Sequence, residues 1–207
     1  MFSGIVDQVG EVVALKEVPG GCTLGIRAPG YWRGIDHGAS IAIDGVCLTV
    51  TRVADDDAMF DVVAETLRRS TLGRLRTGHR VNLQKSLKAG DSIDGHFVQG
   101  HVDAIGRIAR VEESPAESKW WYEVDGAARC CMIPKGSVAV DGISLTIADV
   151  SGPLFSTALI PTTLARTTLG SKREGDHVNI ETDIIARVVL HHLEALGGDL
   201  LRPGTAR

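Results

Sequence analysis

The sequence of 207 residues is poor in aromatic side chains, at 4%, and it has no excess of basic residues. Its 22 Lys and Arg are outnumbered by 26 Asp and Glu, which gives a net charge of −4. Proteins that bind nucleic acid usually show a basic excess and stacking aromatic residues, so that function is disfavoured. No apolar run approaches the roughly 18 residues of a membrane span.

Targeting, metal and common catalytic motifs are also missing. The amino terminus, MFSGIVDQVG, has no basic stretch followed by an apolar one, so we predict no secretory signal and a cytoplasmic protein. None of the four cysteines belongs to a C-x-x-C pair, and we predict reduced thiols and no metal site. There is no G-x-G-x-x-G, P-loop, H-E-x-x-H or G-x-S-x-G motif either.

Glycine, by contrast, is abundant, and the chain contains an internal repeat. There are 24 Gly residues, and 43% of the sequence is hydrophobic, which indicates a chain that turns often and still buries a core. Residues 65–83 match residues 162–180 at ten of nineteen positions, and the IDGVCLTV and VDGISLTI blocks align with the same shift of 97. A repeat this long indicates two homologous domains, which we place at 1–96 and 97–183, followed by a tail at 184–207.

Each copy is predicted to consist of short strands. SIAIDGVCLTVTRV and SVAVDGISLTIADV each show two β-branched runs around Asp-Gly, the pattern of a tight hairpin. The segments that begin at Gly4 and Gly100 alternate apolar and polar residues around a Gly, which suggests a bent or bulged strand. Five to six strands in about 90 residues favour an all-β fold with one small closed barrel per copy.

The tail is predicted to form one amphipathic helix. Its apolar residues follow helical spacing from a candidate N-cap, Asp183, to Gly197. They are Ile185, Val188, Val189, Leu193 and Leu196. The pattern leaves two interpretations open, because the stripe could pack on a barrel or meet copies of itself in an oligomer.

The two copies differ in chemistry at three matched positions. Cys47 corresponds to Ser144, Ile5 to His101, and Gly38 to Lys135. Each polar residue has a structural explanation as well: a buried thiol, a hydroxyl bonded to the backbone, a core imidazole or a solvated cation. The spacing alone therefore does not give a reaction.

Six segments taken together are similar to the riboflavin synthase family of the alpha-chain type. They are MFSGIV, SIAIDGVCLTV, DGHFVQGHVD, KGSVAVDGISLTI, TLARTTLG and GDHVNIE. The resemblance spans essentially the whole chain. Asp44 stands where that family often has Asn, and Gln84 stands where the first copy usually has Glu.

This resemblance implies two six-stranded Greek-key barrels, each binding one pteridine, and a carboxy-terminal helix through which three chains form a homotrimer. It implies the conversion of two molecules of 6,7-dimethyl-8-ribityllumazine into riboflavin and 5-amino-6-(D-ribitylamino)uracil. A four-carbon unit passes between the two molecules without metal or redox cofactor. Relatives that only bind lumazine or flavin as antenna proteins remain an alternative, as does a structural module without ligand. Association with a lumazine synthase shell is left open.

The resemblance also implies site residues. His101 is the candidate for proton transfer. Ser144 and Thr146 would add to or hydrogen-bond the pteridine, with Asp141 orienting that group, while Cys47, Thr49 and Ser40 would line the opposite site. Lys135 would stabilise negative charge or bind ribityl hydroxyls, and Phe2 would cover the ring. The expected substrate contacts are Phe2, Gly4, Ile5, Val6, Ser40, Cys47, Leu48, Thr49, Asp61, Val62, Val63, Ala64, Glu65, Thr66, Gly100, His101, Val102, Lys135, Ser144, Leu145, Thr146, Leu159, Ile160, Pro161, Thr162, Thr163 and Leu164.

Overall fold

The structure, a computed structural model, describes residues 1–113 and 118–200, with side chains to residue 194. The first half of the chain contains six strands, one short helix and a 3₁₀ turn. They are β1 (Gln8–Val18), β2 (Gly21–Arg27), β3 (Ser40–Ile43), β4 (Val46–Ala54), β5 (Asp57–Val63), α1 (Ala64–Arg69), the 3₁₀ turn Thr71–Arg74 and β6 (Arg80–Lys85).

The second half repeats this order of elements and adds two helices. It consists of β7 (Ala104–Glu113), β8 (Ser118–Glu123), α2 (Ala127–Cys130), β9 (Ser137–Val140), β10 (Ile143–Ser151), β11 (Leu154–Leu159), α3 (Pro161–Arg166), the 3₁₀ turn Thr168–Ser171, β12 (His177–Thr182) and α4 (Ile184–Leu200).

Each half closes into an antiparallel barrel. Going around the first barrel, the strand order is β1-β2-β5-β4-β3-β6, and the second barrel has the same order, β7-β8-β11-β10-β9-β12. In β4 and β5 alternate residues are buried, as expected for a sheet with one face on a core. Two separate apolar cores result, one around Phe60 and Leu83 and one around Phe155 and Ile180. The prediction of two six-stranded barrels and a terminal helix is confirmed.

The Asp-Gly pairs form the predicted hairpins. Asp44 and Asp141 have φ of 45° and 46°, and the glycines that follow them also have positive φ. These are the conformations of a two-residue hairpin turn between right-twisted strands. The two turns meet back to back, so that the hairpins form part of the contact between the barrels.

Two extended segments cross from one barrel to the other. We call residues 2–6 and 98–102 the crossed segments. They pair with each other, since Phe2 N donates to Val98 O at 2.7 Å and Val98 N donates to Phe2 O at 3.1 Å. Val6 then packs against the core of the second barrel, and Val102 packs against the core of the first. Each barrel is therefore covered by the segment that precedes the other one in the chain.

A pair of matched asparagines joins the barrels further. Asn82 Nδ2 donates to Asp141 O at 3.0 Å, and Asn179 Nδ2 donates to Asp44 O at 2.8 Å. Their Oδ1 atoms accept from Thr168 N and Thr71 N, at 2.8 and 2.7 Å. Because buried amides satisfied on both sides fix geometry, this network holds the barrels in one orientation.

Helix α4 presents its apolar stripe outward. Asp183 Oδ1 accepts from Ile185 N at 2.9 Å, in agreement with the predicted N-cap. Ile185, Val188, Val189 and Leu193 are 48–60% exposed, so the interpretation that the stripe packs on the chain's own barrel is wrong for these four residues. The side chain of Leu196 lies outside the described residues. In the described part of the chain, no helix is long and apolar enough to cross a membrane.

Candidate active site

In each barrel, two neighbouring strands pair over only part of their length. The β4–β5 ladder begins at Val50↔Phe60, while residues 47–49 continue beside β3 and residues 61–63 continue beside β2. The β10–β11 ladder likewise begins at Ile147↔Thr157. The strand ends separate beyond these points, which opens one gap in the wall of each barrel.

A crossed segment lies in each gap. Cys47 N donates to Gly100 O at 2.9 Å, and Ser144 N donates to Gly4 O at 2.7 Å. Glycine suits these positions, because φ is +81° at Gly100 and +77° at Gly4. A Cβ on Gly100 would lie 2.5 Å from the Cβ of Cys47, and one on Gly4 would lie 2.6 Å from the Cβ of Ser144.

Each gap brings together three of the six predicted segments of substrate contacts. The candidate N-terminal site consists of residues 47–49, 61–63 and 100–102, and the candidate C-terminal site of residues 144–146, 159–160 and 4–6. The remaining predicted contacts continue into α1 (Ala64, Glu65, Thr66) and α3 (Pro161, Thr162, Thr163, Leu164).

A planar ligand would lie on the outer face of each barrel. Leu48 and Val62 are buried in the first core, so their neighbours Cys47, Thr49 and Val63 face outward. Val63 is 60% exposed, and its counterpart Ile160 is 56% exposed. Exposed apolar side chains beside unpaired strand ends suit a heteroaromatic ring, which has apolar faces and a polar rim.

Cys47 and His101 belong to the same site. The crossed segment carries His101 onto the first barrel beside Cys47, in the gap opposite that of Ser144. Burial raises the pKa of the Cys47 thiol, although its hydrogen bond to Ser40 acts in the opposite direction. The neutral thiol is a poor nucleophile at neutral pH. His101 is exposed at the N-terminal site.

The C-terminal site contains a pair of side chains that sequence reasoning missed. His96 Nδ1 lies 2.7 Å from Ser144 Oγ. Burial lowers the pKa of His96, with Asp183 opposing, so the imidazole favours its neutral form. A neutral imidazole can accept a proton from the Ser144 hydroxyl. Comparison of the two copies did not indicate His96, because it lies before the first block that the repeat aligns, which starts at Gly4 and Gly100.

Two of the predicted site residues, Asp141 and Phe2, are buried among other protein groups. Asp141 was expected to orient a hydroxyl, but its side chain is fully buried between the barrels. Its Oδ1 accepts from Asn179 N at 2.7 Å, and its Oδ2 lies 2.8 Å from Lys172 Nζ. Phe2 was expected to cover the ring, but it is fully buried with Ala42 and Val98 and has no free face.

Lys135 has an unusual backbone conformation. Its φ is +69°, and its N–H donates to Ile147 O at 2.8 Å, next to Thr146 of the C-terminal site. The matched residue of the first barrel is Gly38, which makes the same bond to Val50 O. Glycine adopts a positive φ without strain, whereas lysine does so at a cost in free energy. The lysine at this position therefore suggests a function for its exposed ammonium group. Among the described residues, no group of three or more His, Cys, Asp or Glu is placed to hold a metal ion.

Comparison with known proteins agrees with this architecture. Residues 3–85 and 99–183 each match the model of the lumazine binding domain. The chain is 43% identical over 205 residues to a riboflavin synthase of Mycobacterium bovis, with 95% of this chain and 100% of the relative covered. It is 37% identical over 211 residues to the riboflavin synthase of Escherichia coli, with 99% of both covered.

Solved structures show the same fold at lower identity. The crystal structure of LumP complexed with riboflavin has a TM-score of 0.82 at 22% identity and covers 88% of this chain and 99% of that one. LumP complexed with 6,7-dimethyl-8-(1'-D-ribityl) lumazine has a TM-score of 0.79 with the same coverage and identity. Together with the identities above, the two matched domains show that the chain belongs to the riboflavin synthase family.

Proposed function

We propose that the chain is a riboflavin synthase that acts on two molecules of 6,7-dimethyl-8-ribityllumazine, one held by an N-terminal site and one by a C-terminal site. One molecule passes a four-carbon unit to the other, and the products are riboflavin and 5-amino-6-(D-ribitylamino)uracil. The observation that carries this proposal is the pair of gaps in the barrel walls, which share one backbone frame and differ in their side chains.

The side chains suit a reaction between two copies of one substrate. His101 beside Cys47 would take a proton from the C7 methyl group of the lumazine in the N-terminal site, and the carbanion would be delocalised over the electron-poor ring. Ser144, activated by neutral His96, would hydrogen-bond or add to the second ring. Thr49, Thr146 and the exposed Lys135 would bind ring oxygens or ribityl hydroxyls. Most of the acceleration would come from holding the two rings face to face.

The two rings would meet between subunits. Each gap opens on the outer face of its own barrel, so a second ring must be supplied by another barrel surface. The exposed stripe of α4 supports self-association, and we propose a trimer in which the N-terminal site of one subunit faces the C-terminal site of another. The four free cysteines support a cytoplasmic location for this assembly.

Incubation of the pure protein with 6,7-dimethyl-8-ribityllumazine tests the activity. We expect riboflavin and 5-amino-6-(D-ribitylamino)uracil to form in equal amounts, measured by absorbance and chromatography. A shifted lumazine spectrum without product would instead indicate an antenna protein, and neither change would indicate a module without this ligand. Both of these outcomes contradict the proposal.

Single replacements test the assigned residues. His101→Ala and Ser144→Ala should each lower kcat by about 100-fold, the usual contribution of a positioned acid, base or nucleophile. Lumazine binding, measured by fluorescence titration, should change by less than about threefold, because the backbone frame of each gap remains. Glu113→Ala, on the surface at the end of β7, is a matched control that should leave kcat unchanged. Wild-type turnover in either variant would remove that residue from the mechanism.

A further inference from the structure

The loop that carries His101 is attached to a single buried carboxylate. Glu181 lies near the end of β12 and is 3% exposed. Its Oε1 accepts from Gln99 N at 2.6 Å, and its Oε2 accepts from Gly100 N at 2.9 Å and His101 N at 3.0 Å. Three consecutive backbone amides therefore point at one side chain. Hydrogen bonds to an ionised acceptor are about twice as strong as neutral ones.

The same loop is also held by Arg187 of α4 and by Thr182 at the end of β12. Arg187 donates to Asp103 Oδ1 and to Gln99 Oε1, each at 2.8 Å. Thr182 donates to Asp103 Oδ2 through its backbone N and its hydroxyl, also at 2.8 Å. The backbone on both sides of His101 is thus fixed, while its imidazole remains exposed.

The first copy uses a neutral amide at the matched position. Gln84 Oε1 accepts only from Gly4 N, at 3.0 Å, and its Nε2 donates to Ser3 Oγ at 2.8 Å. Under the shift of the repeat, Gln84 corresponds to Glu181, and the loop residue that corresponds to His101 is the apolar Ile5. A carboxyl group that accepts three backbone amides therefore occurs where the loop carries an imidazole, and an amide that accepts one occurs where the loop carries an apolar side chain.

We propose that Glu181 is a positioning residue for turnover, which fixes the backbone of His101 so that the imidazole is held in one place at the N-terminal site. The inference rests on the proposed role of His101. An exposed imidazole on a mobile loop would sample many orientations, and a displacement of about 1 Å can cost 100-fold in rate. Glu181 contacts neither substrate nor reacting atoms in this arrangement.

The first test is a double-mutant cycle of Glu181→Gln and His101→Gln. A carboxamide has one acceptor oxygen, so it cannot receive all three amides, and we expect kcat to fall at least tenfold with KM changed less than threefold. In the His101→Gln background the same change should cost less than threefold, because the group that it positions is gone. Equal losses in both backgrounds would overturn the inference.

Hydrogen exchange supplies a second measurement that does not need turnover. Glu181→Gln should speed exchange of the amides of residues 99–101 at least tenfold, and Gly4, held by Gln84, should keep its protection. Gln84→Glu is the matched control and should leave exchange at residues 99–101 unchanged. Unaltered exchange in Glu181→Gln would overturn the inference even if kcat falls.

Two further outcomes separate the inference from the proposed function. If His101→Gln retains full turnover, the role of His101 is wrong, and the exchange result alone then decides whether Glu181 holds the loop. If Glu181→Gln does not fold by circular dichroism, Glu181→Asp keeps the charge but withdraws it by one methylene. It should also speed exchange at residues 99–101, and slow exchange there would count against the clamp.

Discussion

At the scale of single residues, the two turn aspartates differ in their surroundings. Asp141 has Lys172 Nζ at 2.8 Å, whereas the residue of the first copy that corresponds to Lys172 is Leu75. Burial, and then the charge of Asp141, raise the pKa of Asp44 to about 8, although Lys172 acts in the opposite direction. Two buried carboxylates thus share one cation.

Asp44→Asn should stabilise the protein, and more so at higher pH. A raised folded-state pKa means that folding favours the protonated Asp44, so wild-type stability falls as pH rises from about 4 to about 8. The amide keeps an acceptor for Asn82 N, which now donates to Asp44 Oδ1 at 2.7 Å, and it removes the uncompensated charge. We expect a gain of about 1–3 kcal/mol at pH 8.5 and a smaller one at pH 5, by urea unfolding.

We expect the opposite result for the same substitution at the other turn aspartate, Asp141. Asp141→Asn leaves Lys172 without its nearest carboxylate and should therefore destabilise the protein. Equal effects of the two asparagine substitutions, or no pH dependence for Asp44→Asn, would contradict this account of the turn pair.

The sequence predicted many local features and missed most partners of polar groups. Patterns within one copy predicted the Asp-Gly hairpins and the N-cap Asp183. Comparison of the two copies showed that Gly4 corresponds to Gly100. The contacts of Asp141 with Asn179 and Lys172 could not be predicted, because a turn aspartate has the same sequence signature whether it faces substrate or a buried lysine. The His96–Ser144 pair joins residues 48 positions apart, and His96 lies outside the aligned blocks of the repeat, so neither spacing nor repeat indicates the pair.

At the scale of elements, the crossed segments decide how each site is built. The repeat indicated which segments correspond but not which barrel they cover, because a segment that precedes a barrel is expected to pack on that barrel. The exchange explains why His101 lies beside Cys47 rather than beside Ser144. The separation of β4 from β5 was equally hidden, since both strands keep their alternating pattern through the gap.

Gly100→Ala should detach the segment that carries His101. The new Cβ would overlap Cys47, and the positive φ adds about 1–2 kcal/mol of strain. We expect a loss of at least 3 kcal/mol in stability or, if the segment moves away, a fall in kcat of more than 100-fold.

Gly20→Ala is the matched control for this substitution. Gly20 has a similar φ of +86°, and no atom lies within 4 Å of a Cβ built there, so only the strain remains. It should cost about 1 kcal/mol and leave turnover unchanged. Equal stability and turnover in the two variants would show that close packing on Cys47 is not important.

At the scale of the whole molecule, the apolar stripe of α4 predicts self-association. Val189→Lys places a charge in the middle of the stripe and should shift the molecular mass, measured by light scattering, from that of the proposed trimer towards a monomer of 22.0 kDa. Val18→Lys, at the exposed end of β1, is a control that should keep the oligomer. A wild-type mass for Val189→Lys would exclude the stripe as the contact.

Mixing of inactive variants tests whether a site spans two subunits. His101→Ala and Ser144→Ala subunits, refolded together, should regain turnover, because some interfaces then combine an intact N-terminal site with an intact C-terminal site. The mixture should reach at least about a tenth of the wild-type rate, given the 100-fold losses expected for each variant alone. No recovery in trimers that contain both subunits would place each active site within one chain.

The crossed segments also set the order in which the molecule can be completed during synthesis. The first barrel leaves the ribosome with its gap uncovered until residues 98–102 follow, and residues 2–6 have no place to pack until Ser144 has been made. The amino terminus, made first, is therefore among the last parts to settle. The first barrel can be covered once residues 98–102 have been made, whereas the second needs residues 2–6 to pack beside Ser144. A nascent chain that stops before residue 98 exposes both the uncovered gap of the first barrel and the unpaired segment 2–6.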